Sequence, residues 1–470
     1  MNRVETIVLE GMLTPDQRLT YPLLPFAVPP HTARIDVRYS YGSAVRGDLC
    51  VTDGDTVDIG IFDPRGASFM TAGFRGWSGS ARDHFFISPQ AATPGYVAGT
   101  IQPGTWHLCL GAYQIAEAGC PYRVEITLTI DEAEHPSASL PARLELSTQP
   151  RPDAVRKSGW YRGELHCHTH HSDGDSSPQA LVKRAEALGL DFLAITDHNT
   201  LSHQVELADA QTRLMLIPGV EVTTYRGHWN LWGAGPWIDF RVQSAADMQA
   251  AVDAALQAGY LISCNHPRPF GPEWAYPEVQ GFHCIEVWNG PWPLMNEAAL
   301  AYWEAQLRRG RRCTAVGGSD CHFLAREHPA ELGSPTTFVY CPGSPSPAKL
   351  LDGLREGHAF ISESPYGPEV YLSAQHAVMG DVLLSSDDRV TFRLHVRGAL
   401  GKLLQLVTTA GVVYQVTLDD DEWQASISLD VRHTPYVRAQ VVSEKQGRFT
   451  VHALTNPIYL ICGQAVSAAE

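Results

Sequence analysis

His166 and His168 stand two residues apart in His166-Cys167-His168. On a strand, positions i and i+2 share a face, so both rings can reach one metal ion. Asp173 follows in Ser172-Asp173-Gly174, and His198 sits in Thr196-Asp197-His198-Asn199. Glu221 closes Pro218-Gly219-Val220-Glu221, and His228 lies in Gly227-His228-Trp229-Asn230. His266 stands in Asn265-His266-Pro267, while Asp320 and His322 stand in Gly318-Ser319-Asp320-Cys321-His322. Neutral imidazoles mixed with carboxylates suit Zn²⁺, Mn²⁺ or Fe²⁺. Nine such side chains exceed one tetrahedral site and imply two or three ions sharing a bridge. Taken singly, an H-x-H pair is more often structural and a T-D-H or S-D-G is usually a turn. Taken together, five such segments at strand ends are hard to explain by packing.

The elements that must position these residues are short apolar strands alternating with amphipathic helices from about Trp160 onward. Leu190–Thr196, Leu214–Val220, Tyr260–Cys264, Phe282–Trp288 and Cys313–Gly317 read as buried strands. Ser177-Pro178 offers an N-cap and an N1 proline to a helix over Gln179–Leu188, which Gly189 closes. Ser244–Ala258, Glu297–Arg309 and Pro347–Glu356 are further helices, each followed by glycine. Strand–helix alternation over about 200 residues implies a parallel sheet or barrel. In a β/α barrel the carboxyl ends of the strands converge on one face, where active sites are built.

Both flanks read as β-rich. Thr32–Tyr41, Asp55–Phe62, Ile101–Leu110 and Tyr122–Ile130 are strand candidates between Gly/Pro turns, which suggests a β-sandwich over residues 1–150. His135–Asp153 is rich in proline and serine and reads as a linker. Beyond Tyr366, Val390–Val396, Leu403–Thr408, Val412–Leu418 and Tyr436–Val442 alternate again. The expected domains are therefore 1–150, 155–365 and 366–470.

At 470 residues with 44% hydrophobic and 18% charged side chains, the chain is ordinary globular material. The net charge of −16 argues against a broad grip on extended nucleic acid, which needs clustered Lys and Arg. A small anionic ester is still compatible, because bound cations outweigh global charge locally. The N-terminus lacks a basic segment followed by an apolar run, and no uncharged stretch is long enough to span a membrane. The ten cysteines form no C-x-x-C pair, which argues against a cysteine-based zinc module, and they read as free buried thiols of a cytoplasmic protein. The oligomeric state is not legible.

H-x-H-T-x-x-S-D-G, T-D-H-N, the G-x-E strand end, N-H-P and G-S-D-x-H resemble the PHP (polymerase and histidinol phosphatase) superfamily. Gly163-Glu-Leu-His166, Gly227-His-Trp-Asn230, Ile285-Glu-Val-Trp-Asn-Gly290 and Gly357-His-Ala-Phe-Ile-Ser362 look more narrowly like its CehA/McbA branch, which includes carbaryl-type carbamate hydrolases. The resemblance spans about residues 160–365. It implies an α/β fold, a distorted (β/α)7 barrel flanked by the N-terminal β-sandwich and a small C-terminal β-rich domain. It also implies that His166, His168, Glu221 and Asp320 hold one ion. Glu221 then bridges to a second ion held by His266 with His228, and Asp173, His198 and His322 hold a third.

The implied activity is a multinuclear metal-dependent hydrolase, foremost a phosphoesterase whose nucleophile is a hydroxide bridging two ions. Glu221, Asp320, His266 and Arg268 would be its catalytic residues, Arg268 by contacting an anionic oxygen. Asp197 could orient a ligand or cap a turn. Hydrolysis of aryl carbamates or carboxylic esters is the alternative, favoured by tryptophans such as Trp229, Trp232, Trp237, Trp274, Trp288 and Trp292 near strand ends. A non-catalytic metal-binding protein is a third reading. His170, His171, His203, His283 and His328 match no ligand position.

Overall fold

The computed structural model describes residues 3–42, 54–131, 159–208, 210–269 and 271–462. The linker expected over 135–153 lies outside the described residues. Near the N-terminus, strands Arg3–Leu13, Cys120–Ile130, Thr32–Tyr41 and His84–Ile87 form one four-stranded antiparallel sheet. Leu23–Val28, Gly104–Gln114, Thr56–Phe62 and Phe74–Gly79 form a second. Period-two alternation turns Ile35 and Val37 of the first, and Ile59 and Leu108 of the second, into a single core.

Seven strands form the central region: β1 (Trp160–Glu164), β2 (Phe192–Ile195), β3 (Met215–Thr224), β4 (Gly227–Trp232), β5 (Leu261–Cys264), β6 (Cys284–Asn289) and β7 (Thr314–Gly318). They pair in that order. Just past β1 and β7, His166 O accepts from Asp320 N at 2.8 Å, and His168 N donates to Cys321 O at 2.9 Å. The two outer strands of the row are thereby joined at the end that carries the ligands.

This region is a mixed, strand-rich α/β fold rather than a regular alternation. The β3–β4 and β4–β5 pairs are antiparallel, whereas β1–β2, β2–β3, β5–β6 and β6–β7 are parallel. Only Tyr225 and Arg226 separate β3 from β4, and so short a connection permits antiparallel pairing alone. Helices α1 (Pro178–Ala187), α2 (His203–Leu207), α3 (Ala245–Gln257) and α4 (Asn296–Arg308) follow β1, β2, β4 and β6. Ser177 caps α1 as expected, its hydroxyl accepting from Ala180 N at 3.2 Å. Ser244 caps α3 likewise, accepting from Asp247 N at 3.1 Å.

The sheet continues beyond these seven strands. Thr336–Tyr340 pairs with β1, Ala359–Ser362 pairs with Thr336–Tyr340, and Arg448–Thr455 pairs with Ala359–Ser362. Hydrogen bonding therefore crosses the expected boundary at residue 365 without a break. Asn456 secures that junction, donating to Ala315 O and Ala359 O and accepting from Ala315 N at 2.7 Å.

The N-terminal sheets pack against the ligand-bearing end of the central strands. Tyr225 Oη donates to Asp58 Oδ2 at 2.7 Å, Gly95 N donates to Ser202 Oγ at 3.0 Å, and Arg241 Nη1 donates to Ala67 O at 2.8 Å. Phe74 stacks on Trp237 with ring centroids 4.0 Å apart. Phe62, Phe74 and Trp77 share a core with Trp229, Trp274 and Trp288. Each such buried aromatic contributes roughly 1.5–3 kcal/mol.

Candidate metal centre

The backbone bonds between the ends of β1 and β7 bring His166 and His168 beside Asp320 and His322. Glu164 clips the same junction. Its Oε1 accepts from Leu165 N, His166 N and Ser319 N at 2.9–3.0 Å, and its Oε2 accepts from Gly333 N at 2.7 Å. Burial raises this carboxyl's pKa, and the bonds from Ser319, His166 and Gly333 pull the other way. Two ligand backbones lie in the left-handed region, His266 at φ 27° and Asp320 at φ 53°. Such strain in non-glycine residues clusters at functional sites.

All nine expected ligands come together in three sets, with His168 shared between the Asp320 set and the Asp173 set and Glu221 reaching the former through His166 and His168. Donor atoms held at about 2.1 Å by one tetrahedral ion lie roughly 3.4 Å from each other. In the first set, His166 Nε2 is 3.4 Å from both Glu221 Oε2 and Asp320 Oδ1. His168 Nε2 is 3.6 Å from Glu221 Oε2 and 3.0 Å from Asp320 Oδ1. In the second, Glu221 Oε1 is 3.2 Å from His228 Nδ1 and 3.6 Å from His266 Nε2. In the third, Asp173 Oδ1, His198 Nε2 and His322 Nε2 form a triangle with sides of 3.3–3.5 Å. Glu221 thus offers one oxygen to each of two sets.

The donor atoms of these sets suit cations. His166 Nε2 is buried and makes no hydrogen bond, although Glu221 Oε2 and Asp320 Oδ1 each stand 3.4 Å away. Leaving such an atom unpaired costs about 1–3 kcal/mol, more when charged. A divalent ion held between His166 Nε2, Glu221 Oε2 and Asp320 Oδ1 would satisfy it. The three carboxylates supply the compensating negative charge. Burial pushes Glu221 and Asp320 up, but neighbouring histidines, His166 first, hold both well below the ordinary carboxylate range. Burial lowers His168 to about 4, assisted by His322 and His198, which leaves its ring neutral for ligation. Burial also opposes protonation of His322, yet Asp173 wins and lifts it to about 10. A cation in the third set would compete with that proton.

Several ligand rings are fixed from behind. His166 Nδ1 donates to Glu286 Oε1 at 2.8 Å, and His322 Nδ1 donates to Asp320 O at 2.8 Å. His198 Nδ1 lies 2.5 Å from Thr223 Oγ1 and 2.9 Å from Glu221 Oε2. In all three rings Nε2 is left facing the site, the arrangement expected of oriented metal ligands. Asn265 Nδ2 donates to Glu221 Oε1 at 3.0 Å. Asn289 Nδ2 donates to Glu286 Oε2 at 3.1 Å and to Asp320 Oδ2 at 3.3 Å.

Three expectations change. Arg268 is 5% exposed, and its Nη1 and Nη2 donate to Asn289 O, Leu294 O, Asn296 Oδ1 and Asn289 Oδ1. It positions Asn289 and does not reach out to an anionic substrate. Asp197 orients no ligand. It accepts from Thr169 N, Thr169 Oγ1 and Ser172 Oγ at 2.6–2.7 Å, pinning the loop that leads to Asp173. The tryptophans at strand ends are packing: Trp229, Trp232, Trp274, Trp288 and Trp292 are buried, and Trp237 stacks on Phe74.

Sequence reasoning left Glu164, Thr223, Asn265, Glu286 and Asn289 without roles. Glu164, Glu286 and Asn289 stood in the motifs that carried the branch resemblance and Asn265 in the N-H-P motif, which were the available signals. Asp58, from the N-terminal sheets, was also missed. Burial raises its carboxyl to about 6 against the Tyr225 hydrogen bond, with the charges of His198 and Asp173 acting on it.

Comparison with known proteins reaches the same stretch of chain. Residues 164–262 match the PHP domain. A Salmonella typhimurium protein named 5'-3' exoribonuclease Rnm is 36% identical over 142 residues, 29% of this chain and 44% of that protein. A Haemophilus influenzae 5'-3' exoribonuclease is 44% identical over 63 residues, 13% of this chain and 23% of that protein. The chain thus spans less than half the length of these relatives. A crystal structure of a two-domain Bacteroides vulgatus protein described as containing a PHP-like metal-dependent phosphoesterase shares 18% identity. It covers 67% of this chain and 100% of its own, with a TM-score of 0.33. The relatives named as exoribonucleases leave the charge-based argument against nucleic acid without support. No helix among the described residues is long and apolar enough to cross a membrane.

Proposed function

We propose that the chain is a multinuclear metal-dependent hydrolase of phosphoesters, phosphodiesters included. The observation that carries this reading is the unanswered buried His166 Nε2, 3.4 Å from both Glu221 Oε2 and Asp320 Oδ1 within donor sets of tetrahedral spacing. The proposed cofactors are two or three divalent ions, Zn²⁺, Mn²⁺ or Fe²⁺. His166, His168, Glu221 and Asp320 hold the first; Glu221, His228 and His266 the second; Asp173, His198 and His322 the third. When bound, the ions acidify a water and polarise the ester oxygen.

The chain's own residues do the rest. Glu221 and Asp320 stay ionised and so keep the centre attractive to cations across the neutral range. Glu286 holds the His166 proton on Nδ1, and the Asp320 carbonyl does the same for His322. Glu164 keeps the ends of β1 and β7 in register, so the ligand spacing does not depend on the ions alone. The ring of β1 to β7 is the distorted barrel, with the N-terminal sheets as a sandwich and strands beyond residue 365 continuing the barrel's own sheet. Eight of the described cysteines are free and buried, as fits a cytoplasmic protein.

Likeness to exoribonucleases favours phosphodiesters at nucleic-acid ends, so an oligonucleotide belongs among the substrates tested. The aryl carbamate alternative has lost its aromatic support, because the tryptophans invoked for it are packed inside. The deciding experiment uses protein reconstituted with Mn²⁺ or Zn²⁺. It compares p-nitrophenyl phosphate, bis-p-nitrophenyl phosphate, a 5'-labelled oligoribonucleotide and 1-naphthyl N-methylcarbamate. Turnover of a phosphate ester is expected, and turnover of the carbamate alone would overturn the reading.

A further inference from the structure

His170 and His171 belong to none of the three donor sets above, yet they form a fourth with Glu206 of α2. His171 Nε2 lies 2.9 Å from Glu206 Oε1, and His170 Nε2 lies 3.6 Å from the same oxygen. The three donor atoms lie within 4.8 Å of one another. The 3.6 Å separation is near that of ligands sharing a tetrahedral ion, roughly 3.4 Å, while the 2.9 Å one is a direct hydrogen bond that an ion would replace.

Hydrogen bonding alone accounts for His171 and not for His170. His171 Nδ1 is 2.7 Å from Ser202 Oγ, which sets its ring plane and leaves Nε2 to Glu206. His170 Nε2 is a buried atom with no hydrogen-bond partner, although its side chain is 37% exposed overall. A buried ring nitrogen 3.6 Å from a carboxylate oxygen and bonded to neither it nor anything else leaves a place that a bridging cation would fill.

We propose that His170, His171 and Glu206 hold an accessory divalent ion of the zinc class, separate from the Glu221 centre. Two imidazoles and one carboxylate with an open position form a known zinc ligand set. The ion would tie α2 to the loop that carries Asp173. Two links from the N-terminal sheets meet there. Arg82 donates to the carbonyls of His170 and Ser172, and Gly95 N donates to Ser202 Oγ. Occupancy would therefore order the Asp173 loop and favour ion binding by Asp173, His198 and His322, a coupling that runs equally in reverse.

The test loads wild type, His170→Asn and Glu206→Gln with excess Zn²⁺, desalts them, and measures zinc by plasma mass spectrometry. Each variant is expected to hold one equivalent fewer than wild type. Hydrogen exchange of residues 169–174 is expected to slow on zinc addition in wild type and to respond less in both variants. His170 is partly exposed, so its replacement should leave the circular dichroism of the metal-free protein unchanged. Glu221→Ala is expected to keep this equivalent while losing those of the central sets, so the two readings fail separately. Equal zinc in wild type, His170→Asn and Glu206→Gln would overturn the proposal.

Discussion

Histidine–carboxylate contacts occur both in the central strands and in the C-terminal sheet, but their leftover bonding capacity differs. In the C-terminal region His452 Nδ1 pairs with Glu363 Oε2 at 2.6 Å and its Nε2 with Ser443 Oγ at 2.8 Å. His358 likewise meets Asp381 at 2.9 Å and Glu356 at 3.2 Å. Both ring nitrogens are answered by protein oxygens, so nothing is left for an ion. At the Glu221 centre, His166 gives Nδ1 to Glu286 and keeps Nε2 unanswered. Proximity of histidine to carboxylate is therefore a poor sign of a metal site; an unanswered buried nitrogen facing several other donors at tetrahedral spacing is a better one.

The sharpest way to break this contrast is Glu221→Ala. It should remove the ions of two sets and lower phosphoesterase turnover at least about 10³-fold, since the metals supply the nucleophile and the electrophile. Metal analysis and initial rates read both effects. Next comes Glu286→Gln, which weakens the acceptor behind His166 without touching an ion. A loss of about 10–100-fold in metal affinity is expected by competition with a chelator.

A smaller effect concerns Asp58 and is read in metal-free protein. Its folded pKa of about 6 lies above the ordinary 3.8, so it favours folding below that lower value. That contribution is lost as pH rises through about 6. Asp58→Asn should therefore gain stability relative to wild type between pH 4 and pH 7, on the order of 1–2 kcal/mol after solvent screening. Paired urea titrations check the sign. The smallest effect tests the satisfied partner in the contrast. His452→Ala should cost about 1 kcal/mol of stability and leave metal content and turnover unchanged.

Much of the site was legible because each ligand sits in a short segment with local punctuation. Strand ends, the H-x-H spacing and the Ser177-Pro178 cap need only neighbouring residues. What escaped depends on distant partners. Glu286 meets His166 across 120 residues of sequence, and Asp58 meets Tyr225 across 167. Arg268 looked like an anion contact beside His266 because nothing in its own segment shows that Asn289 and Asn296 absorb it. Strand β4 escaped for another reason. Every one of its residues is buried, so it lacks the alternation that marks a half-exposed strand. The antiparallel hairpin it forms, and the helices missing after β3 and β5, made the central region more strand-rich than strand–helix alternation implied.

The central claim is that unanswered donors around Glu221 are cation sites. Anomalous diffraction from crystals soaked in Mn²⁺ or Zn²⁺, recorded on either side of the metal's absorption edge, tests it most directly. The account predicts peaks among His166, His168, Glu221 and Asp320, and among Asp173, His198 and His322. Crystals with both donor sets accessible to the soak and no anomalous peak in either would contradict it.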